Sequence, residues 1–192
     1  DEKSLVVTSG GGNQNGDDTS LITQLFQPEL TTRLIGKETA IATIQENGRG
    51  KAVLHFGSKF PLHEKNPMDT VLPFAPAKED NGKKVTADKL MGLSLPSDLL
   101  VWNGSSIYGK DIQGNAVKMF SSGLNYAGVR NVLISLWAEP STERNAELVD
   151  FYKNQHAGLN QAQSLRKAQM LAISKDPSAK AWAAFQLLGP GF

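Results

Sequence analysis

The chain has 192 residues, 40% of them hydrophobic, and a formal net charge of +1. That describes an ordinary globular chain with one core, and it gives no electrostatic reason to expect nucleic acid or an acidic membrane surface as partner. Cysteine is absent, which excludes disulfides, thiolate catalysis and cysteine-ligated zinc but does not identify a compartment. The longest apolar runs, at 132–138 and 181–188, are too short to span a bilayer. A chain that opens on Asp1 is expected to be an excised domain or a processed product; its compartment stays open, the cytoplasm being the favoured of the alternatives.

Residues 5–7 read as a short β-branched strand, followed by a glycine-rich loop at 8–16. Gly10, Gly12 and Gly16 miss the dinucleotide spacing by one residue and no Gly-Lys-Ser/Thr follows, so a phosphate loop and a plain loop both stay open. Thr19 or Ser20 can cap a helix whose Leu21, Ile22, Leu25 and Phe26 share one face, and Pro28 ends it. A small strand is expected at 33–35, then a helix over 38–46 with Ile41 and Ile44 inward, then a buried strand at 51–56. The polar, proline-containing segment 61–84, with its Asn81-Gly82 turn, predicts a hairpin or lid inserted between two sheet strands.

A short helix is expected to start at 86–90, and the apolar run 99–102 reads as a strand buried on both faces. Further on come a helix over 115–127 ended by Gly128, a buried strand at 131–137, and a helix capped by Ser141 or Thr142 that carries Leu148, Val149, Phe151 and Tyr152. Asn160 with Gln163 forms a capping-box pattern for a helix with Leu165, Ala168 and Ala172 on one face, and 181–188 supplies a last strand. Strands alternating with helices predict a three-layer α/β fold with a mainly parallel sheet.

In open α/β sheets, ligands and reacting groups lie just beyond the carboxyl ends of the strands. Strand 51–56 runs into Gly57-Ser58-Lys59-Phe60 and strand 99–102 into Asn103-Gly104-Ser105-Ser106, and right-handed winding can set these ends side by side. A serine there is a candidate nucleophile, or part of a turn that needs small residues. The run Gly104-Ser105-Ser106-Ile107-Tyr108 is not a Gly-x-Ser-x-Gly elbow, because position 108 is tyrosine. His55, His63 and His156 have no metal-ligand spacing. Trp102, Trp137 and Trp182 are expected to pack the sheet and its helices.

Several stretches together resemble one known family across nearly the whole chain. Val53-Leu54-His55-Phe56-Gly57-Ser58-Lys59-Phe60 is similar to "Leu-His-Phe-Ala-Thr-His-Gly", and Leu95-Pro96-Ser97-Asp98-Leu99-Leu100-Val101 to "Leu-x-Ala-Asp-Leu-Val-Val". Ser105-Ser106-Ile107-Tyr108-Gly109 stands where the pattern has "Ala-Cys-Glu-Thr-Gly". Ala127-Gly128-Val129-Arg130-Asn131-Val132-Leu133-Ile134-Ser135-Leu136-Trp137 is close to "Ala-Gly-Ala-Arg-Ser-Val-Ile-Ala-Ser-Leu-Trp". Trp182-Ala183-Ala184-Phe185-Gln186-Leu187-Leu188-Gly189 follows "Trp-Ala-Ala-Phe-Val-Leu-Ile-Gly". These are motifs of the CHAT domains, caspase-like peptidases often fused to tetratricopeptide repeats and related to separase.

The departures from that pattern fall on its working residues. The resemblance sets Lys59 at the catalytic histidine, Phe60 at the glycine whose backbone N–H is thought to help bind the oxyanion, and Ser106 at the nucleophilic cysteine. His55 matches a non-catalytic histidine, and Ala138-Glu139-Pro140 replaces "Pro-Val-Asp" in a loop that helps build the substrate pocket. A cysteine, with an ordinary pKa of about 8.5, becomes a thiolate readily beside histidine, whereas a serine hydroxyl needs a genuine base within reach. Lysine serves only where burial draws its pKa down from about 10.4. An oxyanion donor is worth roughly 3–4 kcal/mol.

The resemblance therefore implies a single domain over 1–192 with a caspase-like α/β fold, a mostly parallel central sheet of about six strands flanked by helices. The expected function is a catalytically inactive pseudo-peptidase acting as a protein-interaction or regulatory module. Lys59 and Ser106 would occupy the dyad positions, and Phe60, Ser105 and Glu139 the binding face. Two alternatives remain: a serine hydrolase using Ser106 with Lys59 as base, and a flavodoxin-like binder of a small phosphate ligand on 8–16. The expected partner is a protein or peptide, with tetratricopeptide repeats in the same or another chain. No cofactor, metal, nucleic acid or membrane is expected.

Overall fold

The structure, a computed structural model, describes residues 4–8, 22–58, 60–63, 65–75, 84–106, 115–137 and 142–191, with the backbone path alone for 4–8, 105–106, 142–144 and 181. Its central sheet contains β1 (Ser4–Thr8), β2 (Thr31–Ile35), β3 (Val53–Phe56), β7 (Ser97–Trp102), β9 (Val129–Ser135) and β10 (Phe185–Leu188), in the order β10-β9-β7-β3-β1-β2. All neighbours run parallel except β10, which is antiparallel to β9. Two short ribbons stand outside this sheet: β4 (Phe60–Pro61) parallel to β8 (Ser105–Ser106), and β5 (Val71–Leu72) antiparallel to β6 (Val85–Thr86). The helices are α1 (Ile41–Gly48), α2 (Ala87–Met91), α3 (Ala116–Tyr126), α4 (Thr142–His156), α5 (Gln161–Lys175) and α6 (Ala179–Trp182).

Alternate strand residues point to opposite faces, and this divides the core in two. Leu100, Trp102, Val132 and Ile134 pack with Ile44, Leu90, Phe120 and Leu124 on one face. Leu99, Val101 and Leu133 pack with Leu148, Phe151, Tyr152 and Leu165 on the other. The expected mainly parallel α/β sheet flanked by helices is therefore present, and its layering follows from the apolar runs Leu99–Trp102 of β7 and Val132–Ile134 of β9, which present apolar side chains to both faces. The α2–α3 contact is close: a Cβ on Gly123 would overlap the Met91 sulfur, so this helical glycine is there for room.

The expected helix over 38–46 begins later. Gly36–Thr39 forms a 3-10 turn and Ala40 is extended, so the α-helix starts at Ile41. The buried Thr39 hydroxyl donates to the Gly36 carbonyl at 2.6 Å, a local bond that competes with helical geometry, and accepts the Ala75 N–H from a distant segment at 3.0 Å. The expected strand at 181–188 is shorter, because its first part belongs to α6. The Asp176 carboxylate accepts the Ser178 N–H at 2.8 Å and hydroxyl at 2.9 Å, turning the chain into α6, and β10 begins at Phe185 opposite Ser135. An apolar run of this length does not tell strand from helix by periodicity alone.

Within 61–84, Leu62, Leu72 and Phe74 are buried in the first core cluster together with Val85 beyond it, so the described part of this polar-looking segment contributes to the core. The capping box at Asn160 and Gln163 forms as expected, with bonds of 2.9 and 3.2 Å. Ile22 and Phe26 are buried. Thr19, Ser20, Leu21 and the glycines of the candidate phosphate loop lie outside the described residues.

Candidate functional site at the carboxyl edge of the sheet

Strands β3, β7 and β9 run in one direction and end together, with Phe56 opposite Trp102 and Trp102 opposite Ile134. Beyond this edge the β7 chain is pinned on both sides. The Asn103 N–H donates to the Phe56 carbonyl at 2.9 Å, and the Gly104 N–H to Ser135 Oγ at 2.9 Å. Gly104 has φ of +128°, a conformation that glycine adopts without strain. Its carbonyl accepts the Phe60 N–H at 3.1 Å, and from there β4 and β8 run parallel, Phe60 beside Ser105 and Pro61 beside Ser106. The two strand ends picked out in the sequence are thus neighbours.

Phe60 is the residue on which this geometry turns. Its side chain is 3% exposed. The ring lies 4.7 Å from that of Trp102 and 5.9 Å from that of Phe120, and Trp102 also meets Phe56 at 4.9 Å and Phe74 at 6.0 Å. The Phe60 and Phe56 contacts with Trp102 are edge-on and the Phe74 contact is stacked, and aromatic pairs of these kinds add to the burial itself. The position that the resemblance gives to an oxyanion-binding glycine is therefore a core aromatic whose N–H is already donated. Ser105 and Ser106 form the backbone of β8, while Lys59 and Glu139 lie outside the described residues.

His55 is fully buried on the opposite face of β3 from Phe56, with Nδ1 3.0 Å from the Tyr152 hydroxyl. It is a core histidine tying β3 to α4. Tyr152→Phe is expected to lower stability by about 1–3 kcal/mol, because it leaves a buried ring nitrogen without that partner. Urea denaturation checks this, and no loss would count against the bond.

Two features escaped the sequence reading. Glu147, on α4, is 1% exposed, and among the described residues no hydrogen-bond donor in good geometry reaches either carboxylate oxygen. Burial pushes its pKa from 4.5 up to about 8, and the Ala184 backbone N–H offsets this only in part. The available signal was its spacing four residues before Phe151, which places it on the buried face of the helix. The second feature is a groove of about 640 Å³ between β4 and β5, lined by Phe60–His63, Lys65, Asp69, Val71 and Pro73. Among the described residues no three His, Asp or Glu side chains are grouped to hold a metal, and no helix is long and apolar enough to cross a membrane.

A mostly parallel sheet between two helical layers, with paired strand extensions beyond its carboxyl edge, is a three-layer α/β domain of caspase-like fold. The model of the CHAT domain family matches residues 12–190; the chain belongs to that family. Among solved structures, separase from Saccharomyces cerevisiae, in its complex with securin, aligns with a TM-score of 0.61 at 11% identity. That alignment covers 98% of this chain and 12% of the separase chain, so it spans a small part of a much larger protein. A flavodoxin from Streptococcus pneumoniae TIGR4 aligns more loosely, with a TM-score of 0.46 at 10% identity over 81% of this chain and 99% of that one. No curated protein matches the chain.

Proposed function

We propose that this chain is a catalytically silent CHAT domain that acts as a protein-interaction or regulatory module, holding a protein or peptide at the carboxyl edge of its sheet. The observation that carries this reading is Phe60: a buried ring and an already donated N–H stand where the family pattern needs a free oxyanion donor. The chemistry of the other two positions points the same way. Ser106 replaces a cysteine and Lys59 a histidine, which removes an easily formed thiolate and a base that titrates near neutrality. Three coordinated departures fit decay of a catalytic site better than one altered residue would. Tetratricopeptide repeats, in this or another chain, are the expected companions.

The competing reading, a Ser106–Lys59 hydrolase, draws on the same β4–β8 pairing, which holds the two segments side by side. A diverse peptide library incubated with the chain and with its Ser106→Ala variant, read by mass spectrometry, separates them. No cleavage by either is the expected result. Cleavage by the parent and not by the variant would overturn the proposal and establish a serine peptidase.

A further inference from the structure

The groove between the two ribbons is open to solvent and has a defined chemistry. Phe60 and Leu62 form a buried apolar floor, and Val71, 43% exposed, forms an apolar wall. The β4 side has little to give an added strand. The Phe60 N–H is donated to Gly104, Pro61 has none, and the His63 N–H donates to Thr70 Oγ1 at 3.0 Å. Strand addition draws on main-chain donors as well as acceptors, so with the donors at 60, 61 and 63 spent or lacking, the side chains of the rim carry the recognition argued here.

The rim supplies them. The Asn66 N–H donates to His63 Nδ1 at 3.2 Å, so in the neutral ring the proton sits on Nε2, where it is a donor. Lys65 is exposed and makes no ion pair among the described residues, although Asp69 shares the rim. One Asp69 oxygen is occupied by the Asn66 amide at 3.0 Å. The rim thus combines an ammonium, unpaired among the described residues, with an imidazole donor, while the Asp69 charge disfavours a run of acidic residues.

We propose that this groove binds an extended segment of a partner protein that presents a single carboxylate side chain to Lys65 and His63, next to an apolar side chain seated between Leu62 and Val71. The proposal rests on the protein-binding reading above and names the chemistry of its partner. The groove continues from Phe60, so a segment seated there lies alongside the β4–β8 pair.

The test is selection from a display library of random short peptides against the purified chain, followed by affinity measurement with Lys65→Glu and Val71→Asp. Both positions are exposed, so both variants should melt as the parent does; if one does not, the other alone carries the test. Enriched peptides should carry one acidic residue beside an apolar one, and each substitution should weaken them by about tenfold or more, the size of one lost charge-assisted contact at Lys65 and of one lost apolar contact at Val71. Lys65→Glu should also shift selection toward basic peptides. No enrichment, enrichment without an acidic residue, or affinity insensitive to both substitutions would each overturn the groove proposal. Cleavage of the bound peptides would instead overturn the pseudo-peptidase reading and leave the groove standing.

Discussion

Replacing Phe60 by the glycine of the active family pattern should cost about 3–5 kcal/mol of stability, the usual range for emptying a buried phenylalanine site, and should not create peptidase activity. The ring packs on Trp102 and Phe120, and Trp102 in turn meets Phe56 and Phe120. Those neighbours are themselves interlocked, so the cavity would close only in part. Glycine also adds roughly 0.5–1 kcal/mol of backbone entropy within a strand. For a domain whose total stability is about 5–15 kcal/mol, that is a large fraction. The N–H at position 60 would still face the Gly104 carbonyl, and neither a thiolate nor a histidine base would be restored. Urea denaturation and the peptide-cleavage assay check the two halves. A loss below about 1 kcal/mol would show that the ring is not part of the core. New cleavage dependent on Ser106 would show that Phe60 was the one obstruction at a working site.

The second large effect concerns Glu147. Its pKa stands at about 8 in the folded chain against 4.5 ordinarily. Below 4.5 the carboxyl is protonated in folded and unfolded chains alike, and it imposes no ionisation cost. As pH rises from 4.5 toward 8 the unfolded chain gives up the proton while the folded chain keeps it, so stability falls; above 8 the deficit is constant. Between pH 4.5 and 7 this one group should remove about 3 kcal/mol. Glu147→Gln, neutral throughout, should lose that slope, so the difference between parent and variant stabilities should grow across the interval. Denaturation midpoints of both chains at several pH values measure it. Parallel profiles would mean that the carboxylate is solvated in the folded chain.

Much of this protein was determined by sequence alone. Apolar runs such as Leu99-Leu100-Val101-Trp102, separated by amphipathic helices, specify a parallel sheet between two helical layers, because strands apolar on both faces must be covered on both. The motifs around His55, Asp98, Arg130 and Trp182 carry the family, and the changes at Lys59, Phe60 and Ser106 stand out against them. Capping at Asn160 was equally plain, since both of its bonds lie within three residues. Contacts between distant segments were decided only by tertiary structure. No local pattern marks Thr39 as a partner of Ala75 or Gly104 as a partner of Ser135. Leu62, Leu72 and Phe74 are too scattered within 61–84 to show a period, and they become core only when that part of the segment folds against Trp102. Phe60 read in sequence simply as a missing glycine; the ring packing and the occupied N–H that give the change its meaning come from residues forty to sixty positions away, brought together by the winding of the sheet.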